Sequence, residues 1–434
     1  MTRARTSILH SASALAMIAC TSAVIDSNDG PVDRDAGANS PPPPALTQAD
    51  AGPPPEAASP VDAGPPKRLE LACEVEPCYR AVSGNGGKHY CGLLDDGTVR
   101  CWGRDSLSPL TGVVDGGTVA TNDGALGRGD LTTAIVGATP APVVGLEGVT
   151  QISVGPNFGT CARTNNGSVY CWGRNDFGQL GRPRSEARLP LPTLVEGLPP
   201  VDHVELGFRT ACAIASSDKA LHCWGDSTMI NLSADAGGTN TFAPQPITIF
   251  APPVKALAIG TWTNRDTVIT LLEGNVLSNI GEAPAGETSI SLGARPLEVA
   301  DVTGIGTFAY LSDGLLKRWR PQAGTLYVPS SREVVQVAIA GGIEQGGALL
   351  ADGRLFRWGN NAGGALAQPP YAVAAAPHPL EMPVSKVVSF ATTDKSTCAS
   401  LQDGEVMCWG SNVYGELGRG TMDSDAHPEP EVIR

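Results

Sequence analysis

The sequence of 434 residues predicts an all-β fold assembled from repeated antiparallel hairpins. Three observations predict it. A turn position recurs seven times, as Gly97, Gly167, Lys219, Gly274, Gly314, Gly353 and Gly404. An acid or amide precedes each one, and tryptophan follows five places later in six copies: Trp102, Trp172, Trp224, Trp319, Trp358 and Trp409. The fourth copy has Asn279 there. Spacing between turn positions runs from about 39 to about 70 residues, within or somewhat above the blade length of a propeller, so the connecting loops vary in length.

The hairpin is clearest over residues 160–173, a strand, the turn Asn165-Asn166-Gly167 and a second strand. A three-residue loop places a type I turn before a left-handed residue, which glycine occupies without strain. The carboxylates Asp96, Asp313, Asp352 and Asp403 are then turn residues whose side chains cap local amides, not a catalytic array. The third hairpin carries one extra residue, which accounts for its non-glycine turn. After the tryptophan comes a loop motif, Gly173-Arg-Asn-Asp-Phe-Gly-Gln-Leu-Gly181, repeated at 410–418, weaker at 359–367, and split by an insertion in the first copy. A further strand stands upstream of each hairpin, as in residues 149–155 and 334–340, with a short Pro-Val piece before it.

The combined unit, V-x-x-V-x-x-G, hairpin, W-G-x-N-x-x-G-Q-L-G, resembles the regulator of chromosome condensation repeat family over about residues 72–434. That resemblance implies a seven-bladed β-propeller, and seven units agree with it. The family's histidine at the hairpin entrance survives only as His89, copies four and five are eroded, and Arg320 replaces the glycine after Trp319. The first unit begins at its upstream strand, Leu69–Ser83, and the chain ends in a Pro-Val piece, Pro428–Ile433. The expectation is a ring closed by the C-terminal strand completing the first blade.

Residues 1–19 read as a bacterial export signal, with Arg3, Arg5 and the apolar run Ala12–Ala19. Residues 17–20, Met-Ile-Ala-Cys, resemble a lipobox, which makes Cys20 the lipidated first residue; the competing reading is an ordinary signal peptide with a chance cysteine. Residues 20–66 form the lipidated cysteine and a Pro/Ala/Asp/Gly-rich tether, expected to be disordered. Residues 67–434 form the propeller. The expected location is the bacterial cell envelope, at the outer membrane or cell surface, with the lipid as the membrane attachment.

Ten cysteines remain. Four pairs bracket hairpins: Cys91–Cys101, Cys161–Cys171, Cys212–Cys223 and Cys398–Cys408. Facing positions across a hairpin meet disulfide geometry. The other copies lack both partners together, having Val268 and Ser278, Phe308 and Arg318, Gly347 and Arg357. Cys73–Cys78 follows by elimination. Such a set demands an oxidising compartment. The spacing lacks the short knuckle of a zinc site.

The balance of 30 bases against 44 acids argues against nucleic acid as a partner. No catalytic, cofactor or metal residue emerges: the histidines are scattered, and no nucleophile elbow or zinc-protease spacing occurs. The six repeat tryptophans read as blade core and not as a sugar-stacking set. What remains is a monomeric, non-enzymatic envelope scaffold that recognises an unknown protein partner through inter-blade loops. The longest inserts, residues 103–121 and 225–243, fall between a tryptophan and the next blade's Pro-Val piece, so both should emerge on one side. Nuclear members of the family exchange nucleotide on a small GTPase and bind chromatin; an exported acidic lipoprotein would meet neither. An alternative is inhibition of a periplasmic or extracellular enzyme, as in β-lactamase-inhibitor-like propellers. An envelope hydrolase or lyase is a further alternative that a pocket with convergent ionisable groups would favour.

Overall fold

The computed structural model describes residues 68–84, 88–106, 110–114, 117–129, 136–226, 241–247, 253–262, 265–273, 276–280, 289–291, 309–312, 315–318, 334–339 and 345–433. Cys20, the signal segment and the tether lie outside them, as does Trp319. Among the described residues no helix is long and apolar enough to cross a membrane.

Taken in chain order, sheet 1 is β1 (Tyr79–Gly84), β2 (His89–Leu94), β3 (Val99–Arg104) and β6 (Val136–Pro142), with a side hairpin of β4 (Leu110–Val114) and β5 (Gly117–Thr121) between the last two. Sheet 2 is β7 (Val149–Val154), β8 (Gly159–Thr164), β9 (Val169–Arg174) and β10 (Arg188–Leu194). Sheet 3 is β11 (Val201–Leu206), β12 (Thr210–Ala215), β13 (Leu221–Gly225) and β14 (Thr241–Ile247). Sheet 4 is β15 (Val254–Trp262), β16 (Arg265–Leu272), β17 (Val276–Ile280) and β18 (Ser289–Ser291). Sheet 5 is the pair β19 (Ala309–Ser312) and β20 (Leu315–Arg318). Sheet 6 is β21 (Val334–Ile339), β22 (Gly346–Leu350), β23 (Leu355–Asn360) and β24 (Ala375–Glu381). Sheet 7 is β25 (Val387–Thr392), β26 (Ser396–Leu401), β27 (Val406–Ser411) and β28 (Ala426–Val432).

Each four-stranded sheet is an antiparallel meander, and position in it dictates composition. Second strands such as Thr210–Ala215 and Ser396–Leu401 are buried along their whole length, because a neighbour covers each face. Fourth strands carry alternating prolines, as in Arg188–Leu194 and Ala426–Val432. Proline donates no amide hydrogen and is tolerated at a sheet edge. First strands share a register shift after their opening residue, as at Tyr79/Ala81, Val149/Gln151 and Val387/Ser389.

The meander corrects the expected closure. The C-terminal β28 pairs with β27, Met407 facing Val432 and Ser411 facing Ala426, so it completes sheet 7 and not sheet 1. Sheet 1 takes its fourth strand from Val136–Pro142, with Cys101 facing Ala141. The Pro-Val piece belongs to the hairpin before it: the chain folds back locally onto the strand it has just left. The two long inserts accordingly lie within sheets 1 and 3, between third and fourth strands.

Two hydrogen bonds recur between neighbouring sheets. The first-strand amide donates to the preceding turn carbonyl, as Val149 to Gly97, Val201 to Gly167, Val254 to Lys219 and Val387 to Gly353. The indole Nε1 donates to a carbonyl in the preceding loop motif: Trp172 to Ala125, Trp224 to Gln179 and Trp409 to Ala365, at 2.9–3.0 Å. Sheets 7 and 1 are joined by the same two bonds, Tyr79 to Gly404 and Trp102 to Glu416, each 2.9 Å. The apolar core lies between sheets; one cluster joins Tyr79, Tyr90 and Trp102 of sheet 1 to Cys398, Val406 and Leu417 of sheet 7. The indoles of Trp102, Trp172, Trp224 and Trp409 are fully buried.

Four cross-strand disulfides, Cys91–Cys101, Cys161–Cys171, Cys212–Cys223 and Cys398–Cys408, join directly facing residues with Cα atoms 4.1–4.2 Å apart. Cys73–Cys78 closes a small loop packed on the sheet 7 turn, where Ala72 and Glu74 donate to the carbonyls of Gln402 and Asp403.

Candidate recognition face

One end of the sheets carries the hairpin turns between second and third strands. These turns are three-residue loops, with Gly97, Gly167, Gly353 and Gly404 at positive φ and their amides donating three residues back. The residue before each glycine caps the following amide: Asp96 Oδ1 accepts from Thr98, Asn166 from Ser168, Asp352 from Arg354 and Asp403 from Glu405. Lys219 sits in a four-residue loop, bonded to Ala215. The capping side chains thus serve the turns themselves, while the turn carbonyls hold the first strand of the next sheet.

The opposite end carries the connections from first to second and from third to fourth strands. Here the loop motif is a folded unit. Asn175, Asn361 and Asn412 each accept the amide of the motif leucine, Leu180, Leu366 or Leu417, while their Nδ2 atoms donate to carbonyls further along the loop. The amides of Phe177 and Tyr414 donate to the side chains of Gln179 and Glu416, which fixes both aromatic rings at the loop tip. In sheet 1 the asparagine position is Asp105, whose Oδ1 accepts the Leu126 amide at 2.8 Å. Burial, against that bond and Arg128, pushes its carboxyl up to about 7.

A second repeated feature lies three residues before the first cysteine of each hairpin pair. Lys88, Phe158, Arg209 and Lys395 stand there, and their carbonyls accept the amides of Arg104, Arg174, Asp226 and Ser411. Lys88 and Phe158 hold positive φ, 64° and 57°. Cations and aromatic rings interleave along this row. The Arg104 guanidinium lies 4.2 Å from the Tyr414 centroid and 5.6 Å from that of Phe158, with Lys88 Nζ 4.8 Å from Tyr414. Arg209 and Arg184 lie 4.4 and 5.4 Å from Phe177, whose ring is 5.9 Å from Phe208. Buried Asp266 of sheet 4 holds the turn beneath, accepting from the amides of Phe208, Arg209 and Thr210 and from Thr261 Oγ1. Burial raises its carboxyl above the usual range, against those four donors.

Comparison with known proteins identifies the repeat. The regulator of chromosome condensation (RCC1) repeat matches residues 80–107, 149–179 and 387–416, and a second description of it matches 166–214. The chain carries RCC1 repeats over these residues. It is 23% identical over 336 residues to the E3 ubiquitin-protein ligase HERC2 of Mus musculus, covering 75% of this chain but 6% of that protein. It is 25% identical to the ultraviolet-B receptor UVR8 of Arabidopsis thaliana, covering 68% of this chain and 60% of the receptor. In structure it is similar to Prp20p of Saccharomyces cerevisiae, described with its binding to Gsp1p and histones, with TM-score 0.62 at 18% identity over 79% of this chain and 87% of that one. The Kap60 complex of yeast RCC1 gives 0.60 at 17% over 87% and 90%. These likenesses show a β-propeller fold.

The first strands of six sheets line a cavity of about 400 Å³, to which the fifth strand positions contribute Ser83, Ser153, Glu205, Ala258, Ala338 and Ala391. Its polar side chains bond neighbouring strands. Ser83 Oγ accepts the Val154 amide, Ser153 Oγ accepts that of Leu206, and Ser389 Oγ accepts that of Val82. Glu205 bonds Ser153 and His203, and Gln151 bonds His203 and the Val204 carbonyl. The cavity's ionisable lining is Arg68, Arg80, His203 and Glu205, of which His203 and Glu205 bond each other and the adjacent first strand, and Arg68 bonds the Val335 carbonyl. Among the described residues no cluster of three or more His, Cys, Asp or Glu could hold a metal. The row of cations and aromatics went unread in the sequence, although Phe177 and Tyr414 occupy the same place in two motif copies.

Proposed function

We propose that this chain is a non-enzymatic scaffold on the bacterial cell envelope, a closed ring of seven blades that grips a protein partner through its loop face. The observation that carries the reading is the row of half-buried cations and aromatic rings across sheets 7, 1, 2 and 3. Hot spots of protein interfaces are rich in arginine and aromatic side chains held rigidly and partly desolvated. Among the described residues the turn face shows a single pair, Arg354 with Phe356 at 5.8 Å, against the linked series of the loop face. Ring closure is supported by the two bonds joining sheets 7 and 1, which repeat those between other neighbours. Attachment through lipidated Cys20 and the tether rests on the sequence pattern alone.

The test is photo-crosslinking in envelope preparations, with the crosslinker at exposed Val413 on the loop face or at exposed Asp95 on the turn face. A discrete protein adduct is expected from position 413 and none from 95. Adducts of equal yield, or from 95 alone, would assign recognition elsewhere. The inhibitor reading uses the same face, and an exported enzyme as the adduct would select it. For the anchor, Cys20→Ser should move the protein from the membrane to the soluble envelope fraction; unchanged partitioning removes the lipid from the account.

A further inference from the structure

We infer that the loop face of sheets 7, 1, 2 and 3 takes a short acidic segment of its protein partner. Carboxylates of the segment would sit on Lys88, Arg104 and Arg209, and its apolar side chains on Tyr414, Phe177 and Phe208. This rests on the loop-face reading above and adds the partner's chemistry.

Three observations carry it. First, the cations are held in place. Arg104 lies over Tyr414 and Phe158, and Arg209 over Phe177 and Phe208. A guanidinium over an aromatic ring aims its N–H donors in plane, as Arg209 Nη1 does toward Asp226 Oδ2, and that geometry suits a carboxylate. Ordering it beforehand removes much of the entropic cost of binding. Second, the row stands on the hairpins that carry cross-strand disulfides. Lys88, Arg209 and Lys395 each precede a bonded cysteine by three residues, and Arg104 follows one by three. Sheet 6, which lacks a disulfide, has Ala362, Gly363 and Gly364 where the other loop motifs carry Phe177 or Tyr414. Among the described residues the stapled sheets and the loop-face cation–aromatic sheets are the same four. Third, the charges are complementary only locally. Of the nearby carboxyls, Glu416 beside Lys88 and Arg104 is 3% exposed, Asp226, 3.5 Å from Arg209, is also buried, and Asp394, facing Lys88 and Lys395, is half-buried. A net charge of −14 repels an extended polyanion at long range, whereas a segment with a few carboxylates and apolar residues between them pays little for that repulsion.

The test uses the intact propeller and a fluorescein-labelled peptide of repeating Glu-Glu-Phe, followed by anisotropy. Binding should weaken as salt is raised, and the same peptide with Gln for Glu should bind at least about tenfold more weakly. Arg104→Gln combined with Arg209→Gln should weaken the acidic peptide by about tenfold or more, and the milder Lys88→Gln severalfold. Arg354→Gln, on the turn face, should leave binding unchanged. Melting temperatures of all variants separate lost binding from lost fold. No binding, equal binding of the Gln peptide, indifference to the Arg104 and Arg209 changes, or tighter binding of inorganic polyphosphate than of the peptide would each overturn the proposal. If Val413 crosslinks a partner while the acidic peptide fails, loop-face recognition stands and its acidic chemistry does not.

Discussion

Asp105 occupies a place that asparagine fills in three other loops. As Asn175, Asn361 and Asn412 do, it accepts a leucine amide. Ionised, it cannot donate to the loop as their amide groups do. Burial raises its carboxyl to about 7. The folded state therefore binds more protons than the unfolded one between about pH 4 and pH 7, so this group's contribution to stability falls as pH rises through that window and is flat above it. The shift corresponds to at most on the order of 4 kcal/mol. Asp105→Asn supplies the donor without the charge. It should raise the melting temperature above pH 7 and reduce the loss of stability between pH 4 and 7. Asp266, Asp394 and Glu416, also raised by burial, keep the rest of that slope. An unchanged slope in the variant would show that Asp105 does not titrate in this range.

Within a sheet, the decisive element is the proline-bearing fourth strand. Because β28 pairs with β27, deleting residues 426–434 should strip the edge from sheet 7 alone. Amide exchange should rise first over 406–411, while residues 99–104 stay protected by β6. Loosening of 99–104 instead would restore closure by the C-terminal strand. The turn glycines differ in what surrounds them. At Gly197, φ 83° with nothing within 4 Å of an added Cβ, alanine should cost only the left-handed strain, roughly 1 kcal/mol. At Gly404, φ 94°, the Cβ would also lie 2.7 Å from Cys78 Sγ, so Gly404→Ala should cost distinctly more in denaturant titration. Equal costs would mean that the Cys73–Cys78 loop yields without penalty.

For the whole propeller the vulnerable place is the junction of sheets 7 and 1, where chain continuity is absent and only contacts hold. The Cys73–Cys78 loop lies against the turn at Gln402–Gly404 and directs Tyr79 to the Gly404 carbonyl. Closing so short a loop contributes about 2 kcal/mol by chain entropy. Replacing both cysteines by serine should raise exchange at Ala72, Glu74 and Tyr79 before any other amides. Trp102→Phe, which removes the bond to Glu416, should loosen sheets 7 and 1 together, whereas Trp224→Phe should act on sheets 2 and 3. Global loosening by either variant would mean that the propeller opens as one unit.

The repeat itself was written in the sequence, because its signals are local. A positive-φ turn favours glycine, a capping acid or amide precedes it, and a buried indole returns at a fixed strand position. The facing cysteines were legible for the same reason, since a hairpin's register is set by its own turn. The assignment of the Pro-Val piece was not. A strand's outer neighbour depends on whether the chain folds back or moves on, and the two give the same periodic pattern when read along a repeat. Arg104 and Tyr414 are 310 positions apart in the chain and meet only because sheets 7 and 1 pack together. The sequence by itself determined the unit, its turns and its cysteine pairs, all of which are short-range. Only the tertiary structure decided which strand ends each sheet and which cations and rings share one face, because those contacts join residues from different sheets.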